Sequence, residues 1–184
     1  MGKIAFLFSG QGAQYSGMGK ELYEASAAAK AVFDRADSIR PGTSDQCFTA
    51  SKEELSQTIN TQPCLYCVDL AAAEALRGAG IIPDAAAGFS LGEIAALTFA
   101  GVLSAEDGFR LVCKRAEFME KATGETGGGM AAVLKLTPEQ VDELCAGLDQ
   151  VYPVNYNCPG QVSVAGEQSQ LDEFCRKAAG AGAR

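Results

Sequence analysis

Short apolar runs that alternate with helical patterns are the feature that most narrows the folds open to this chain. Residues 4–8 form a continuous apolar run of strand length, which leads into the turn-rich segment 9–12. Residues 81–88 carry a weaker strand pattern, and helical spacing of apolar residues is found over 19–39, 61–80, 90–101 and 104–121. Strands that alternate with helices favour a layered, parallel sheet. The sequence therefore predicts an α/β fold.

A change of composition at residues 123–129 marks the predicted domain boundary. This segment ends in three consecutive glycines, which we interpret as a flexible hinge. Strand, helix, strand, strand and helix patterns follow in that order. This order lacks only a last strand to complete a ferredoxin-like unit. We therefore predict an α/β core over residues 1–123 and a ferredoxin-like subdomain without its last strand over 124–184.

The charge and the cysteines argue against several classes of function. The net charge of −8 disfavours nucleic acid as a partner, because phosphate neutralisation needs clustered Lys and Arg. No apolar run reaches the ~20 residues of a membrane span, and the N-terminus has no signal-peptide core, so we expect a cytoplasmic protein. The seven cysteines are interpreted as reduced thiols, and packing in a helix is favoured for the C-x-x-C pair Cys64 and Cys67. We predict no metal and no cofactor.

The sharpest motif is Gly-Phe-Ser-Leu-Gly at residues 88–92, between a predicted strand and a predicted helix. In a nucleophile elbow, the serine of G-x-S-x-G occupies the strained turn from strand to helix. The amide of the next residue then points at the developing negative charge. Ser90 is the predicted nucleophile and the Leu91 N–H the predicted oxyanion donor. The alternative is a helix start rich in small residues that includes a serine without a catalytic role.

Five features of the sequence together resemble malonyl-CoA:acyl-carrier-protein transacylases and related polyketide acyltransferase domains. Residues 88–93 (GFSLGE) are similar to the G-H-S-L-G-E signature of that family, and residues 8–12 (FSGQG) to its F-x-G-Q-G loop. Residues 60–63 (NTQP) match its T-Q-P segment, and residues 155–161 (NYNCPGQ) resemble its N-x-N-x-P-G-Q stretch. Arg115 lies at the spacing from the serine at which the family has a carboxylate-binding arginine. The resemblance covers essentially the whole chain.

The resemblance implies a fold and a role for each matching residue. The fold would be an α/β-hydrolase-like core, incomplete at its C-terminus, with a ferredoxin-like subdomain. Ser90 would carry malonyl as an ester, and the backbone amides of Leu91 and Gln11 would form the oxyanion hole. Arg115 would bind the malonyl carboxylate, a task that suits a planar guanidinium. Pocket-shaping and coenzyme A-binding roles would fall to Gln62, Asn155, Asn157 and Gln161.

Three of these assignments have a simpler alternative when the residues are considered without the resemblance. Arg115 would then be a solvated helix cation, like its neighbour Arg110. Asn155 and Asn157 would be turn residues ahead of Pro159.

Two departures from the family pattern bear on activity. Phe89 stands where the family has a histidine before the serine, and we expect it to change packing and solvation beside Ser90. The chain contains no histidine at all, whereas the catalytic histidine of the family follows the strand that the second unit lacks. A serine without a partner base is a weak nucleophile at neutral pH. The sequence therefore predicts a chain truncated before its catalytic histidine, with little activity of its own.

The predicted function is transfer of malonyl from coenzyme A to the phosphopantetheine thiol of acyl carrier protein through a seryl ester, for fatty-acid biosynthesis. Two alternatives stay open: a non-catalytic fragment of the family, and an acyltransferase or esterase of other acyl specificity. A missing C-terminal segment, supplied by a separate chain, is a further predicted partner beside malonyl-CoA and acyl carrier protein. Acyl carrier proteins are acidic, so docking would need a basic face, for which the candidates are Arg110, Lys114, Lys121, Arg176 and Lys177.

Overall fold

The computed structural model describes residues 2–184, which form helices and small sheets in two compact units. The first unit ends at Glu120, and the second runs from Lys121 to Arg184. The elements that begin in the first unit are β1 (Ala5–Phe8), α1 (Lys20–Ala25), α2 (Ala27–Ile39), α3 (Thr43–Thr49), α4 (Lys52–Leu55), α5 (Thr58–Gly78), β2 (Ala85–Gly88), α6 (Leu91–Phe99) and α7 (Ala105–Thr126). Those of the second are β3 (Gly128–Leu134), α8 (Pro138–Ala146), β4 (Val151–Cys158), β5 (Gln161–Glu167) and α9 (Gln168–Gly180). The prediction of an α/β fold is confirmed.

The first unit contains a parallel pair of strands whose two faces differ. β1 pairs with β2 from Ala5 opposite Ala85 to Phe8 opposite Gly88. Phe6 and Phe8 are buried and pack against the Phe99 ring, whereas Leu7 between them is 81% exposed. This alternation follows from the two-residue period of a strand, and it directs one face of the pair into the core.

Helix α5 is the centre of the first unit. It packs against α2, α3 and α6, and most of its residues from Asn60 to Ala73 are buried. Large core side chains come from several of the helices around it: Phe33, Leu55, Leu65, Tyr66, Leu70, Leu91 and Phe109. Because most of α5 between Asn60 and Ala73 is buried, the polar side chains in this stretch must find partners inside the unit.

Two helical predictions in the first unit need correction. The pattern over 19–39 forms two helices, because Ser26 adopts an extended backbone (φ −129°, ψ 119°) and its side chain accepts a hydrogen bond from the Ala29 amide. Such a cap starts a new helix. The helix expected from residue 61 begins at Thr58 and continues through Pro63. Residues 43–49, where no helix was predicted, form α3.

The second unit is a three-stranded antiparallel sheet with the order β3–β5–β4, against which α8 and α9 pack. Its own core consists of aliphatic residues and one phenylalanine: Val133, Leu136, Val141, Val151, Val162, Val164, Leu171 and Phe174. Helix α8 begins at a capping box, in which Thr137 and Gln140 exchange hydrogen bonds.

The glycine run that was interpreted as a hinge has regular secondary structure on both sides, and its flexibility stays a prediction. Helix α7 continues to Thr126, and Gly127 takes a positive φ of 60° at its end. Gly128 and Gly129 then pair in β3 with Glu167 and Gly166. The run therefore ends a helix and starts a strand. Among the described helices, none combines the length and the apolar character that crossing a bilayer requires.

Candidate active site

Ser90 lies at the turn from β2 into α6. The strand ends at Gly88 and the helix begins at Leu91, so Ser90 is the residue that caps α6. Its backbone has φ 52° and ψ −103°, a conformation that residues with a Cβ rarely adopt. Such strain, about 1–3 kcal/mol, is typical of functional turns, and a serine in this position is the geometry of a nucleophile elbow.

Gly88 and Gly92, on either side of Ser90, are required by close backbone approaches. A Cβ on Gly88 would lie 2.1 Å from the carbonyl carbon of Gly92. A Cβ on Gly92 would lie 2.3 Å from the carbonyl oxygen of Phe8, at the end of β1. The Phe89 amide also donates to that Phe8 oxygen, at 3.1 Å. The elbow is thus packed directly on the end of β1.

Arg115 connects the serine to the centre of the unit. Its Nη2 donates to Ser90 Oγ at 3.1 Å, and its Nη1 donates to Gln62 Oε1 at 2.7 Å. Arg115 comes from α7 and Gln62 from α5, where the Gln62 side chain is fully buried. Arg115 is therefore a directed member of the site, and its interpretation as a merely solvated cation does not fit these contacts.

Gln11 joins the same network through its side chain. Gln62 Nε2 donates to Gln11 Oε1 at 3.4 Å, and Gln11 Nε2 donates to Thr58 Oγ1 at 3.3 Å. A continuous chain of hydrogen bonds therefore runs from Gln11 through Gln62 and Arg115 to Ser90. The structure brings together the predicted site residues of the first unit, which come from four separate segments of the sequence.

Two backbone amides, those of Leu91 and Gln11, are the predicted oxyanion donors. Leu91 is the first residue of α6, so its amide has no partner within the helix. The next two amides, of Gly92 and Glu93, donate to the carbonyl oxygens of Phe89 and Ser90. Among the described residues, the Gln11 amide donates no hydrogen bond. The amides of Leu91 and Gln11 are thus free to receive a ligand oxygen.

The electrostatic environment of Ser90 is set by Arg115. Within the part of the chain that the structure describes, this guanidinium is the side chain hydrogen-bonded to Ser90 Oγ. A guanidinium donates and cannot accept a proton, so it stabilises negative charge on the serine oxygen without serving as a base.

The predicted site residues of the second unit lie on its sheet. Asn155 and Asn157 belong to β4, so the alternative that makes them turn residues is wrong. Asn157 Nδ2 donates to Ser163 Oγ on β5 at 3.0 Å, while Asn155 is exposed. Gln161 begins β5, and its Oε1 accepts from Cys158 Sγ at 3.7 Å.

The structure gives the surroundings of the cysteine pair and of several residues of the predicted basic face. Cys64 and Cys67 are buried in α5 as free thiols, and burial raises the pKa of Cys67 well above its usual value, which fits packing. Over residues 2–184, no group of three or more His, Cys, Asp or Glu side chains is arranged to hold a metal ion. Several of the predicted basic residues have acidic neighbours on their own helix: Lys114 with Glu117, Lys121 with Glu125 and Lys177 with Glu173.

Three residues next to the site were not predicted from the sequence. Thr58 contacts Gln11 but lies before the predicted start of its helix. Ser9 and Asp69 form a hydrogen bond of 2.8 Å just beyond the end of β1. A carboxyl within the apolar stretch of α5 was the available signal for Asp69, because a charged residue in such a stretch needs a partner.

Comparison with known proteins identifies the family of this chain. The family model described as acyl transferase domain matches residues 5–184. The malonyl CoA-acyl carrier protein transacylase of Bacillus subtilis (strain 168) is 44% identical over 171 residues, which are 90% of this chain and 54% of that relative.

Solved structures show the same likeness. The malonyl CoA-acyl carrier protein transacylase of Clostridium perfringens is 39% identical with a TM-score of 0.91, and the match covers all of this chain and 59% of that one. A malonyl-transacylase in complex with a type II PKS acyl-carrier protein is 34% identical with a TM-score of 0.92, over 100% of this chain and 61% of that one. The chain thus spans between half and two thirds of the length of these relatives.

Proposed function

The chain belongs to the acyl transferase domain family, and from that premise we propose that it carries the acyl-binding serine site of a malonyl-CoA:acyl-carrier-protein transacylase. The observation that supports this most directly is the Arg115 guanidinium, which donates to Ser90 Oγ at 3.1 Å. In a malonyl group, one methylene separates the free carboxylate from the thioester carbonyl. A cation that recognises the carboxylate must therefore lie next to the nucleophile, which is where Arg115 lies.

The reaction proposed for the site is a two-step acyl transfer. Ser90 Oγ attacks the thioester carbonyl carbon, the carbon–sulfur bond breaks, and coenzyme A leaves as the malonyl group becomes a seryl ester. The carbonyl oxygen, negative in the tetrahedral intermediate, would accept hydrogen bonds from the Leu91 and Gln11 amides. The phosphopantetheine thiol of an acyl carrier protein then attacks the ester and releases Ser90.

Each residue around Ser90 has its own proposed role in this reaction. Arg115 would bind the malonyl carboxylate with its planar guanidinium group. The buried Gln62 would hold that group in place through its 2.7 Å hydrogen bond. The hydroxyl proton of Ser90 needs an acceptor when the ester forms. In most serine triads this acceptor is an imidazole, and the 184 residues of this chain include no histidine. The proton ends on the thiol of the coenzyme A that leaves.

The architecture proposed for the family fold follows the two units. Residues 1–123 would be the N-terminal part of an α/β-hydrolase-like core, which is supported by the parallel pair β1–β2 and the elbow after β2. Residues 124–184 would be a ferredoxin-like subdomain without its last strand, which is supported by the β-α-β-β-α order and the antiparallel sheet. In this subdomain, Asn155, Asn157 and Gln161 would line the path of the pantetheine arm, and the reaction would take place in the cytoplasm.

Intact-protein mass spectrometry after incubation with malonyl-CoA tests the proposal. We expect a malonyl adduct on the unaltered chain and none on Ser90→Ala. Arg115→Lys, which keeps the charge but loses the planar guanidinium group, should slow malonyl addition by roughly 10- to 100-fold. Acetyl-CoA lacks the free carboxylate, so its slower addition should fall much less in Arg115→Lys than malonyl addition does, because only the contact between Arg115 and Ser90 is altered for it.

Arg110→Lys, an exposed residue on the same helix, is the matched control and should behave like the unaltered chain. A second candidate function is that of a non-catalytic fragment of the family, which binds coenzyme A thioesters without reacting; the observation behind it is that the 184 residues include no histidine. It would be supported if malonyl-CoA binds in calorimetry while no adduct forms even at raised pH.

A further inference from the structure

Ser9 and Asp69 link the end of β1 to the centre of the first unit. Ser9 directly follows β1 and precedes Gly10 and Gln11, while Asp69 lies on α5. Ser9 Oγ donates to Asp69 Oδ1 at 2.8 Å. The hydrogen bond joins residues 60 positions apart, so it is a tertiary contact that fixes where the chain leaves the strand.

The environment of the Asp69 carboxyl is unusual for a structural residue. Its second oxygen, Oδ2, is buried and has no hydrogen-bond partner among the described residues. Burial raises the pKa of Asp69 to about 6, against the hydrogen bonds from Ser9, which lower it. No charged side chain on α5 or on the described elements packed against it contributes to this shift. A buried, half-satisfied carboxyl costs stability, so its presence calls for an explanation.

One face of α5 holds the segment that follows β1. Thr58, Gln62 and Asp69 are four and seven residues apart, a spacing that places them on the same side of the helix. Thr58 and Gln62 hydrogen-bond the Gln11 side chain, and Asp69 accepts from Ser9. The loop between these anchors therefore has its two ends tied to a single rigid element.

The residue between the two anchors is covered from the elbow. A Cβ on Gly10 would lie 2.6 Å from Cδ1 of Phe89 and 2.8 Å from its carbonyl oxygen, so the Phe89 ring and backbone lie directly against Gly10. Because Phe89 precedes Ser90 in the chain, a displacement of Gly10 would also displace the backbone next to the proposed nucleophile. The placement of Ser9 and Gly10 thus controls where the Gln11 amide lies relative to Ser90.

We propose that Asp69 is a positioning residue, which acts through Ser9 to hold the Gly10–Gln11 backbone in place beside Ser90. The proposal rests on the proposed function only for the role of the Gln11 amide as an oxyanion donor. An ionised carboxylate accepts a hydroxyl hydrogen bond more strongly than a neutral carboxyl does. The loop is therefore held tightly when Asp69 is ionised and loosens when Asp69 is protonated.

Nuclear magnetic resonance tests this coupling without any need for turnover. The ¹H–¹⁵N shifts of the Gly10 and Gln11 amides are followed between about pH 4 and pH 8. In the unaltered chain, both amides should titrate together with the Asp69 carboxyl carbon, with a midpoint near 6. In Asp69→Asn, the titration of both amides should disappear.

Ser9→Ala separates coupling through the hydroxyl from mere proximity. This variant removes the hydrogen bond that lowers the pKa of Asp69, so the midpoint of the carboxyl carbon should rise, while the amide response should shrink several-fold. Ser38→Ala, which removes a hydroxyl bonded to the Arg35 carbonyl on α2, is the control and should change neither. The proposal is overturned if the loop amides do not titrate in the unaltered chain, or if Ser9→Ala leaves their response unchanged.

The rate of Ser90 malonylation supplies the catalytic readout. Loss of one oxyanion donor costs about 10²–10³ in rate, and a loosened donor should cost less, so we expect roughly a tenfold slower reaction in Asp69→Asn. The inflection near pH 6 should also be missing from its pH–rate profile, which a loss of folded protein alone would not cause. If the loop amides titrate but the unaltered chain takes up no malonyl, the positioning contact is supported and the proposed transfer is wrong. If the loop amides do not titrate, the positioning role is wrong, whatever the rate of malonyl transfer.

Discussion

At the scale of single residues, Ser90 combines a strained backbone with a charged hydrogen bond. The strain arises from φ 52° and ψ −103°, and the hydrogen bond from Arg115 Nη2. The effects of these two features on stability can be measured separately, because the backbone strain depends on the Cβ and the hydrogen bond depends on the hydroxyl. A functional turn that keeps a strained serine where glycine would relax indicates that the side chain is needed there.

We predict that Ser90→Gly is more stable than Ser90→Ala by about 1 kcal/mol. Both variants lose the hydroxyl and its bond to Arg115, but only glycine relieves the positive φ. The free energy of unfolding, measured by urea denaturation of both variants, checks this. Equal stabilities would show that the backbone at residue 90 is not strained.

Asp69 illustrates how a positioning residue can reduce stability. Burial raises its pKa from 3.8 to about 6. A carboxyl that binds its proton more tightly in the folded state contributes its full stabilisation below the unfolded pKa of about 3.8 and loses it as the pH rises through about 6. The native fold therefore becomes less stable when the Asp69 carboxylate forms. In that same ionised state, Asp69 accepts the hydrogen bond from Ser9 most strongly.

We expect Asp69→Asn to remove this decline. The difference in free energy of unfolding between about pH 4 and pH 7.5 should change by roughly 1–2 kcal/mol relative to the unaltered chain, in favour of neutral pH. Urea denaturation at a series of pH values is the measurement. Asp34, whose pKa is lowered chiefly by its hydrogen bond from Lys30, gives a control of opposite sign. In Asp34→Asn, the free energy of unfolding should change in favour of acid pH relative to the unaltered chain.

At the scale of elements, the site depends on how tightly α6 approaches the end of β1. Gly92 is in the first turn of α6, where a Cβ would lie 2.3 Å from the Phe8 carbonyl oxygen and 2.6 Å from that of Ser9. Backbone atoms cannot move aside as a flexible side chain can. The approach therefore requires glycine and fixes the distance between the elbow and the Ser9–Gln11 segment.

We predict that Gly92→Ala lowers the free energy of unfolding by about 2–4 kcal/mol, because strand and helix must separate. Gly78→Ala, at the end of α5, is the matched control. A Cβ there would meet only the Ala28 Cβ at an ordinary 3.8 Å, so this variant should gain about 0.5–1 kcal/mol. Thermal denaturation of the two variants measures both effects, and similar values would refute the close approach.

At the scale of the whole molecule, the distribution of apolar side chains is uneven. Each unit has its own buried core. In the first unit, however, one face of the β1–β2 pair carries the 81% exposed Leu7, and Ala85, Ala86 and Ala87 of β2 are exposed as well. Exposed apolar strands of this kind favour association between molecules.

We therefore expect Leu7→Thr to reduce concentration-dependent association in analytical ultracentrifugation. The free energy of unfolding should stay within about 0.5 kcal/mol, because little of this side chain is buried. Val102→Thr, equally apolar and 67% exposed but outside the sheet, is the control and should leave association unchanged. If both variants behave like the unaltered chain, the sheet face does not drive association.

The sequence by itself determined the features that depend on neighbouring residues. The strand around Phe6 and the turn that carries Ser90 were predicted from an apolar run and from the glycines around the serine. These patterns act over a few residues, and their physics is largely that of local backbone hydrogen bonding. The roles of the site residues were predicted from the family resemblance, and they stay predictions.

Only the tertiary structure decided which side chains meet. Arg115, Gln62 and Ser90 lie on three helices or turns, and Ser9 reaches Asp69 across 60 positions. Such contacts depend on the angles and distances at which helices pack, which the pattern of a single segment does not contain. The split at Ser26 is local by contrast, because its side chain accepts from the amide of Ala29, three residues further on. Local sequence therefore set the elements and the strained turn, whereas the packing of α5 and α6 against β1, and the contacts of Arg115 from α7, brought the predicted site residues together.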